Sequence, residues 1–401
     1  MNMTLHGRKV YASTGIIDDG TIRVEGSHIV SITHRDFSSE FLSIDEEGDI
    51  TLSGDVLIPG LIDLQMNGSG GRSLNQQPQL DTLEIMARIA IRSGCTAFLP
   101  TLVSETPEQT VKCLEVLGGS YGNRFYGAQI LGVHLEGPFL NPEKAGVHNP
   151  RFLSLPSVES LKRFWEASQG SIKLLTLAPE LSGSLDVIRE ATRLGIRVSL
   201  GHTMASQLDC ERAVDAGAVL VTHLFNAMDG PSARDPASVH RVWGVPQFVF
   251  NRSELSVSVI SDGIHVHPDV LRETVKAKGI NGTVLVSDSM PPTGTNVGQF
   301  EFQGEQWVVR DGACYSPKGI LGGSILTMDQ AVRNMSNWVG ISLMDAVGMA
   351  SHNPATIIGC QNEIGGLEVG KKADVVVCDT NLKPLITIVS GEVLYEAVSR
   401  R

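Results

Sequence analysis

Eight short apolar runs punctuate the middle of this chain, and each finishes in polar or turn residues. They are IPGLIDLQ (58–65), AFLPT (97–101), ILGVHLE (130–136), LLTLAPE (174–180), RVSLGHT (197–203), VLVTHLF (219–225), VSVISDG (257–263) and TVLVSDS (283–289). Most of the gaps carry the i, i+3, i+4 apolar spacing of amphipathic helices: LDTLEIMARIAIRSG, PEQTVKCLEVLGG, LDVIREATRLG, QLDCERAVDAG and PDVLRETVKAKG. Most of these stop at glycine, which tolerates the backbone that ends a helix. Apolar strands alternating with helices predict a parallel sheet covered on both faces. Eight units predict an α/β fold of the (β/α)8 TIM-like barrel type rather than an open doubly wound sheet. No G-x-G-x-x-G follows the first run, which argues further against a dinucleotide fold.

The two ends have a different texture. KVYAS, GTIRVEGSHIVSIT and GDITLSGDVLI near the start, and ADVVVCDTNLKPLITIVSGEVLYE near the end, are short strands broken by Gly and Asp turns. They predict a small β-sandwich domain assembled from both termini, residues 1–57 and 361–401, with the barrel over 58–360 inserted between them. A net charge of -12 with no basic stripe argues against nucleic acid as a partner. The start has no apolar signal stretch and no run approaches the ~18 residues of a membrane span. The six cysteines include no C-x-x-C pair. Together these features predict a cytoplasmic protein in a reducing compartment.

In a barrel of this kind the chemistry sits where strands end. Here those ends carry Asp63, Gln65 and Asn67, then His134 and Glu136, Glu180, His202, His223 with Asn226, Asp262 with His265, and Asp288. Alternation along the first strand puts Asp63, Gln65 and Asn67 on one face. Glu136, His202 and His223 offer the donors for a divalent ion with one position left open for water, whose pKa such an ion lowers from ~15.7 toward ~7. Asp288 is then placed to move protons; a helix cap or an ion pair would use the same carboxylate structurally. A single strand-end histidine is more often a hydrogen-bonded core or loop residue; the coincidence of several such residues on one rim shifts the balance toward a site. His265 and His267 share a strand face, but Pro268 and a helix follow, which suits His265 better to substrate than to metal. After the sixth run, NAMDGPSARDP offers Arg234 for an anion, or for an ion pair with Asp235.

PGLIDLQMNG, HLEGPFLN, LAPE, GHTMA, THLFNAM, DGIHVHP, VSDSMPPTG and LGGSILTM, in that order along the whole chain, resemble the N-acetylglucosamine-6-phosphate deacetylase family of the amidohydrolase superfamily. The resemblance implies hydrolysis of the acetamide of N-acetylglucosamine 6-phosphate to glucosamine 6-phosphate and acetate, in amino-sugar catabolism. It implies Glu136, His202 and His223 as ligands of one divalent metal per subunit, with a metal-bound water as nucleophile. Zinc suits that donor set, and Fe2+, Mn2+ and Co2+ stay open. It further implies Asp288 as general acid/base and His148 as the group that polarises the amide carbonyl. His265 becomes a substrate contact, and Asn226, Ala227 and Arg234 the phosphate grip. Arg234 is donated by the neighbouring subunit of a homodimer, and the backbone at Leu321 and Gly322 closes over the acetyl end. Where many amidohydrolases carry the His-x-His of a second metal, this chain has Gln65 and Asn67, so one metal is expected.

Two departures stand out. ARDPA replaces the Gly-Arg-Glu-Pro-Gly common around the phosphate arginine, which alters the loop that carries Arg234, and Ser289 stands where alanine often follows the aspartate. Three other functions use much of the same pattern. The galacto epimer would need the same chemistry. A cyclic-amide hydrolase of the dihydroorotase kind typically keeps His-x-His and a carboxylated lysine, where this chain has Glu136. A non-catalytic sugar-phosphate sensor should have lost Asp288 or a ligand, and all are present.

Overall fold

A computed structural model of the chain describes residues 2–34, 42–44, 50–120, 125–228 and 243–397. The N-terminal strands are β1 (Asn2–Ala12), β2 (Gly15–Glu25), β3 (His28–His34), β4 (Leu42–Ile44) and β5 (Ile50–Pro59). The barrel strands are β6 (Leu61–Met66), β7 (Cys95–Leu102), β9 (Val133–Glu136), β10 (Ile172–Leu177), β11 (Arg197–Leu200), β12 (Ala218–Val221), β13 (Ser256–Val259) and β14 (Thr283–Leu285); the two-residue β8 (Gln129–Ile130) pairs with β7. Four more strands, β15 (Gln299–Phe302), β16 (Glu305–Arg310), β17 (Ala313–Tyr315) and β18 (Leu321–Ser324), form an antiparallel sheet after the barrel. The C-terminal strands are β19 (Val375–Cys378), β20 (Pro384–Val389) and β21 (Glu392–Glu396).

β6 to β14 pair in parallel in chain order, with helices at 80–90, 107–120, 158–167, 184–193, 207–216 and 268–278 among the connections. This is the (β/α)8 barrel that the eight apolar runs require, and its buried residues form one large core. Closure between the first and last strands is made largely by polar groups. Asp63 is fully buried, accepts from the backbone of Gln65 and Ser287 at 3.1 and 3.2 Å, and takes the Ser287 hydroxyl. Just beyond, Asn67 N donates to Ser289 O at 2.9 Å. Local signals set the helix ends: Ser206 and Asp209 form a reciprocal capping box at the start of helix Gln207–Ala216.

The terminal strands join in one mixed sheet, ordered β21-β20-β19-β5-β1-β2-β3, with β4 also on β5. Its apolar face makes a second core from Leu5, Ile22, Leu57, Val375 and Ile388, among others. Gly60 carries the chain from this sheet into the barrel. A Cβ there would lie 2.0 Å from the Thr96 hydroxyl, so β5 and β6 can succeed one another so tightly only through glycine. The four-stranded sheet was not expected from the sequence. It encloses a third small core of Val103, Met290, Phe302, Trp307 and Cys314, and sits beside the C-terminal mouth of the barrel through the parallel bridge between Ser289 and Ser324.

Candidate active site

The strand ends deliver their polar side chains to a cavity of about 410 Å³ at that mouth. Its walls include Asn67, Glu136, His148, His202, His223, Asn226, Ala227, His265, Asp288, Leu321 and Gly322. Several of these residues have unusual backbones. His202, His223, Ala227 and Asp288 adopt φ of 49°, 31°, 49° and 49°, the left-handed region that L-residues avoid. Such strain costs on the order of 1–3 kcal/mol per residue and persists where surrounding structure enforces it, commonly at functional sites.

Three groups meet around one carboxylate oxygen. Glu136 Oε1 lies 3.0 Å from His223 Nε2 and 3.3 Å from His202 Nε2, and the two imidazole nitrogens are 3.1 Å apart. The partner of the other His202 nitrogen settles its tautomer. Nδ1 is 2.8 Å from the carbonyl of Lys144, which can only accept, so in the neutral ring the proton is on Nδ1 and the Nε2 lone pair points at Glu136 and His223. A lone pair facing a carboxylate is repulsive unless a proton or a cation lies between them. His223 Nδ1 is buried without a partner. Burial works against ionisation of both Glu136 and His223. Where a proton lies between them, the imidazoles nevertheless hold Glu136 well below the ordinary carboxylate range, and Glu136 in turn raises His223.

His148 joins this group, since its Nε2 lies 3.8 Å from Glu136 Oε2, and Glu136, His148 and His202 can bring ligand atoms within 4.8 Å of one another. Its tautomer, however, is opposite to that of His202. The backbone N–H of Ser104 donates to His148 Nδ1 at 3.1 Å, and the Ser104 hydroxyl lies 2.9 Å from the same atom. In the neutral ring the proton is therefore on Nε2, which is buried and unpartnered. Burial, and then the neighbouring His202, push its pKa down to about 3, so the ring is a neutral donor. A protonated nitrogen does not ligate metal; on this ground His223 suits the third ligand place better than His148.

Asp288 is the separate carboxylate. Its Oδ1 accepts from Asn67 Nδ2 at 2.7 Å and Gln65 Nε2 at 2.9 Å, and the same Gln65 amide donates to Glu136 Oε1 at 3.0 Å. Burial, and then the charge of Glu136, raise Asp288 to about 6. His265 reads as an imidazolium. Nε2 donates to Gly322 O at 2.5 Å and Nδ1 to Asp262 at 2.6 Å, and although burial opposes the charge, Asp262 raises its pKa. The Asn226 amide donates to the carbonyls of His223 and Leu224 and shapes the turn beside Ala227.

Some expected strand-end residues stay out of the site. His134 lies in the barrel interior between Leu64 O and Thr176, and burial lowers its pKa to about 4. Glu180 ties Asn141, Thr203 and Met204 together, and exposed His267 caps the helix that starts at Pro268. Arg234 lies outside the described residues. Ser104 was missed, because its decisive contact is made by the backbone; its place just past the end of β7 was the available signal.

The Amidohydrolase family pattern matches residues 56–394, the whole barrel and the C-terminal strands of the terminal sheet, leaving out β1 to β4 and most of β5. The chain belongs to the amidohydrolase family. An N-acetylglucosamine-6-phosphate deacetylase of Haemophilus influenzae is 32% identical over 96% of this chain and 97% of its own length. An N-acetylgalactosamine-6-phosphate deacetylase of Shewanella sp. (strain ANA-3) is 33% identical over 98% and 96%. The crystal structure of N-acetylglucosamine-6-phosphate deacetylase from Pasteurella multocida superposes with a TM-score of 0.87 at 32% identity, covering 98% of this chain and 99% of that one.

Proposed function

We propose that this chain hydrolyses the acetamide of N-acetylglucosamine 6-phosphate, releasing glucosamine 6-phosphate and acetate in amino-sugar catabolism. The observation that carries the reading is the gathering of Glu136 Oε1 with the Nε2 atoms of His202 and His223 beside a separate, cavity-facing Asp288. Relatives of the same family, matched along nearly their full length, are named for this reaction.

The donors fit a metal. Two imidazoles and a carboxylate crowd together in a way that a cation between them would relieve, and the His223 Nδ1 left over is buried without a partner. Glu136, His202 and His223 would hold one divalent ion, with zinc the best match and iron(II), manganese(II) and cobalt(II) the other candidates. When bound, that ion supplies Lewis acidity to the amide carbonyl and eases loss of a proton from the attacking water.

The protein's own groups do the rest. His148 presents its Nε2 proton to the amide carbonyl, where negative charge develops. Asp288 takes a proton from the attacking water and returns it to the amine nitrogen as the C–N bond breaks. A pKa near 6 suits a group that must do both. The His265 imidazolium adds positive charge to a cavity meant for a sugar phosphate. Asn226 and Ala227 bound the phosphate end with Arg234 from the neighbouring subunit of a homodimer, and Leu321 and Gly322 close over the acetyl end. In this reading 58–360 is the catalytic barrel, and 1–57 with 361–401 the supporting β domain. No helix among the described residues is long and apolar enough to cross a membrane. The six cysteines, all unpaired, support a cytoplasmic setting.

Acetate release by metal-supplemented protein tests the reading, with N-acetylglucosamine 6-phosphate, its galacto epimer and the unphosphorylated sugar compared. Preference for the phosphorylated gluco substrate is the expected result. Preference for the epimer would keep the chemistry and change the substrate, in line with the Shewanella relative. No release from any of them would overturn the reading.

A further inference from the structure

Gln65 and Asn67 occupy the first-strand positions discussed above, and both of their amide nitrogens end on the same oxygen of Asp288. An amide nitrogen can only donate, and turning either amide over would set its carbonyl against a carboxylate, so the orientation is fixed by chemistry. The other ends of the two side chains, Gln65 Oε1 and Asn67 Oδ1, are buried without partners.

What the donors do follows from a symmetry. A carboxyl group can rotate by half a turn and exchange its oxygens, so a lone Asp288 would present its proton to the reaction or away from it with similar ease. Two N–H donors on Oδ1 break that equivalence, because an oxygen already accepting twice is a poor place for a proton. Oδ2 has no hydrogen-bond partner among the described residues, and Asp288 lines the cavity. We infer that Gln65 and Asn67 are a positioning pair that fixes Oδ2 of Asp288 as the oxygen that takes and returns the proton. The inference rests on the deacetylase reading above.

The pair is not symmetric. Among the described residues the Asn67 amide donates to Asp288 alone. Gln65 also donates to Glu136 Oε1, the oxygen that faces His202 and His223. Asn67 therefore acts on proton transfer, and Gln65 on both proton transfer and the metal-facing carboxylate. Asn67→Leu keeps the volume and removes the donor. Its kcat should fall roughly 10- to 100-fold, part of what acid–base catalysis supplies. KM should stay within about threefold, because the Asn67 amide is committed to Asp288, and metal content per chain should equal that of the parent. Gln65→Leu should lower kcat similarly and also shift metal affinity in a chelator competition.

The experiment measures kcat, KM and metal content for the parent, Asn67→Leu and Gln65→Leu. Should Asn67→Leu not yield folded protein by circular dichroism, Asn67→Ser carries the same test, since its hydroxyl stops short of Oδ1. A kcat within twofold of the parent would overturn the inference. So would a joint loss of kcat, substrate binding and metal from Asn67→Leu, which would mark a merely structural residue. A parent protein that releases no acetate from any acetamido sugar phosphate would instead overturn the reading on which the inference rests.

Discussion

Asp63 gives the most direct quantitative test of how this barrel is held closed. It is fully buried, and burial raises its carboxyl from the ordinary 3.8 to about 6 against the bonds from Ser287 and Gln65 that favour the charge. At about 1.36 kcal/mol per pH unit, holding the ionised form inside the fold costs about 3 kcal/mol. Asp63→Asn removes the charge and can keep the network. Its carbonyl oxygen takes the two backbone donors, its NH2 donates to the Ser287 hydroxyl, and that hydroxyl turns to Gln65 O, 3.2 Å away. The folded parent binds this proton more tightly than the unfolded chain does. Its stability therefore carries no penalty below about pH 3.8, loses ground between 3.8 and 6, and carries the whole penalty above 6. Urea unfolding of metal-free protein from pH 4 to 8 reads the difference. Asp63→Asn should be more stable than the parent by about 2–3 kcal/mol at pH 8, with the gain shrinking toward zero near pH 4. A gain independent of pH, or a less stable variant at pH 8, would refute the reasoning.

Other outcomes follow from the same geometry. His148→Leu should lower kcat by about 10²–10³ while the protein keeps its metal, whereas His223→Leu should lose the metal; the reverse pattern in metal analysis would make His148 the ligand. Chelation should abolish activity and lower the melting temperature, and readded ion at about 100 times its Kd should restore about 2.7 kcal/mol of stability. Equal melting curves with and without ion would argue against the site. Gly322→Ala would place a Cβ 2.5 Å from the Trp307 ring and 3.2 Å from Val147. Relieving that overlap costs about 1–3 kcal/mol, so KM should rise and the melting temperature fall, which steady-state kinetics and calorimetry would show.

The barrel was legible because each of its strands is an apolar run with a polar end, a pattern that survives without any knowledge of partners. The four-stranded sheet was not, since β15 and β16 are short and mostly exposed or half-buried and so lack the apolar run that marks a strand. At the site, period-two alternation already placed Asp63, Gln65 and Asn67 on one face. Their partners, Ser287 and Asp288, lie more than 220 residues away, and only the closed barrel brings them together. The tautomers of His148 and His202 depend on a backbone N–H at Ser104 and a carbonyl at Lys144, groups that every residue carries and that no motif can signal.

The pairing of β5 with β19 also sets an order of events on the ribosome. Val56 to Pro59 find their antiparallel neighbours only in Val375 to Cys378. Val375 emerges about 316 residues after Pro59, roughly 15–60 s later at ordinary translation speeds. Throughout that interval a nascent chain carries an apolar strand edge with nothing beside it, the kind of surface on which chains join one another. Pro59, which has no N–H to offer, blunts one end of that edge. The barrel, whose eight strands are all made by Leu285, can close before the sheet on which it rests is complete. A chain cut short before Val375 would then keep a near-complete catalytic mouth together with a sticky flank, and should be cleared by chaperones and proteases rather than accumulate as an enzyme.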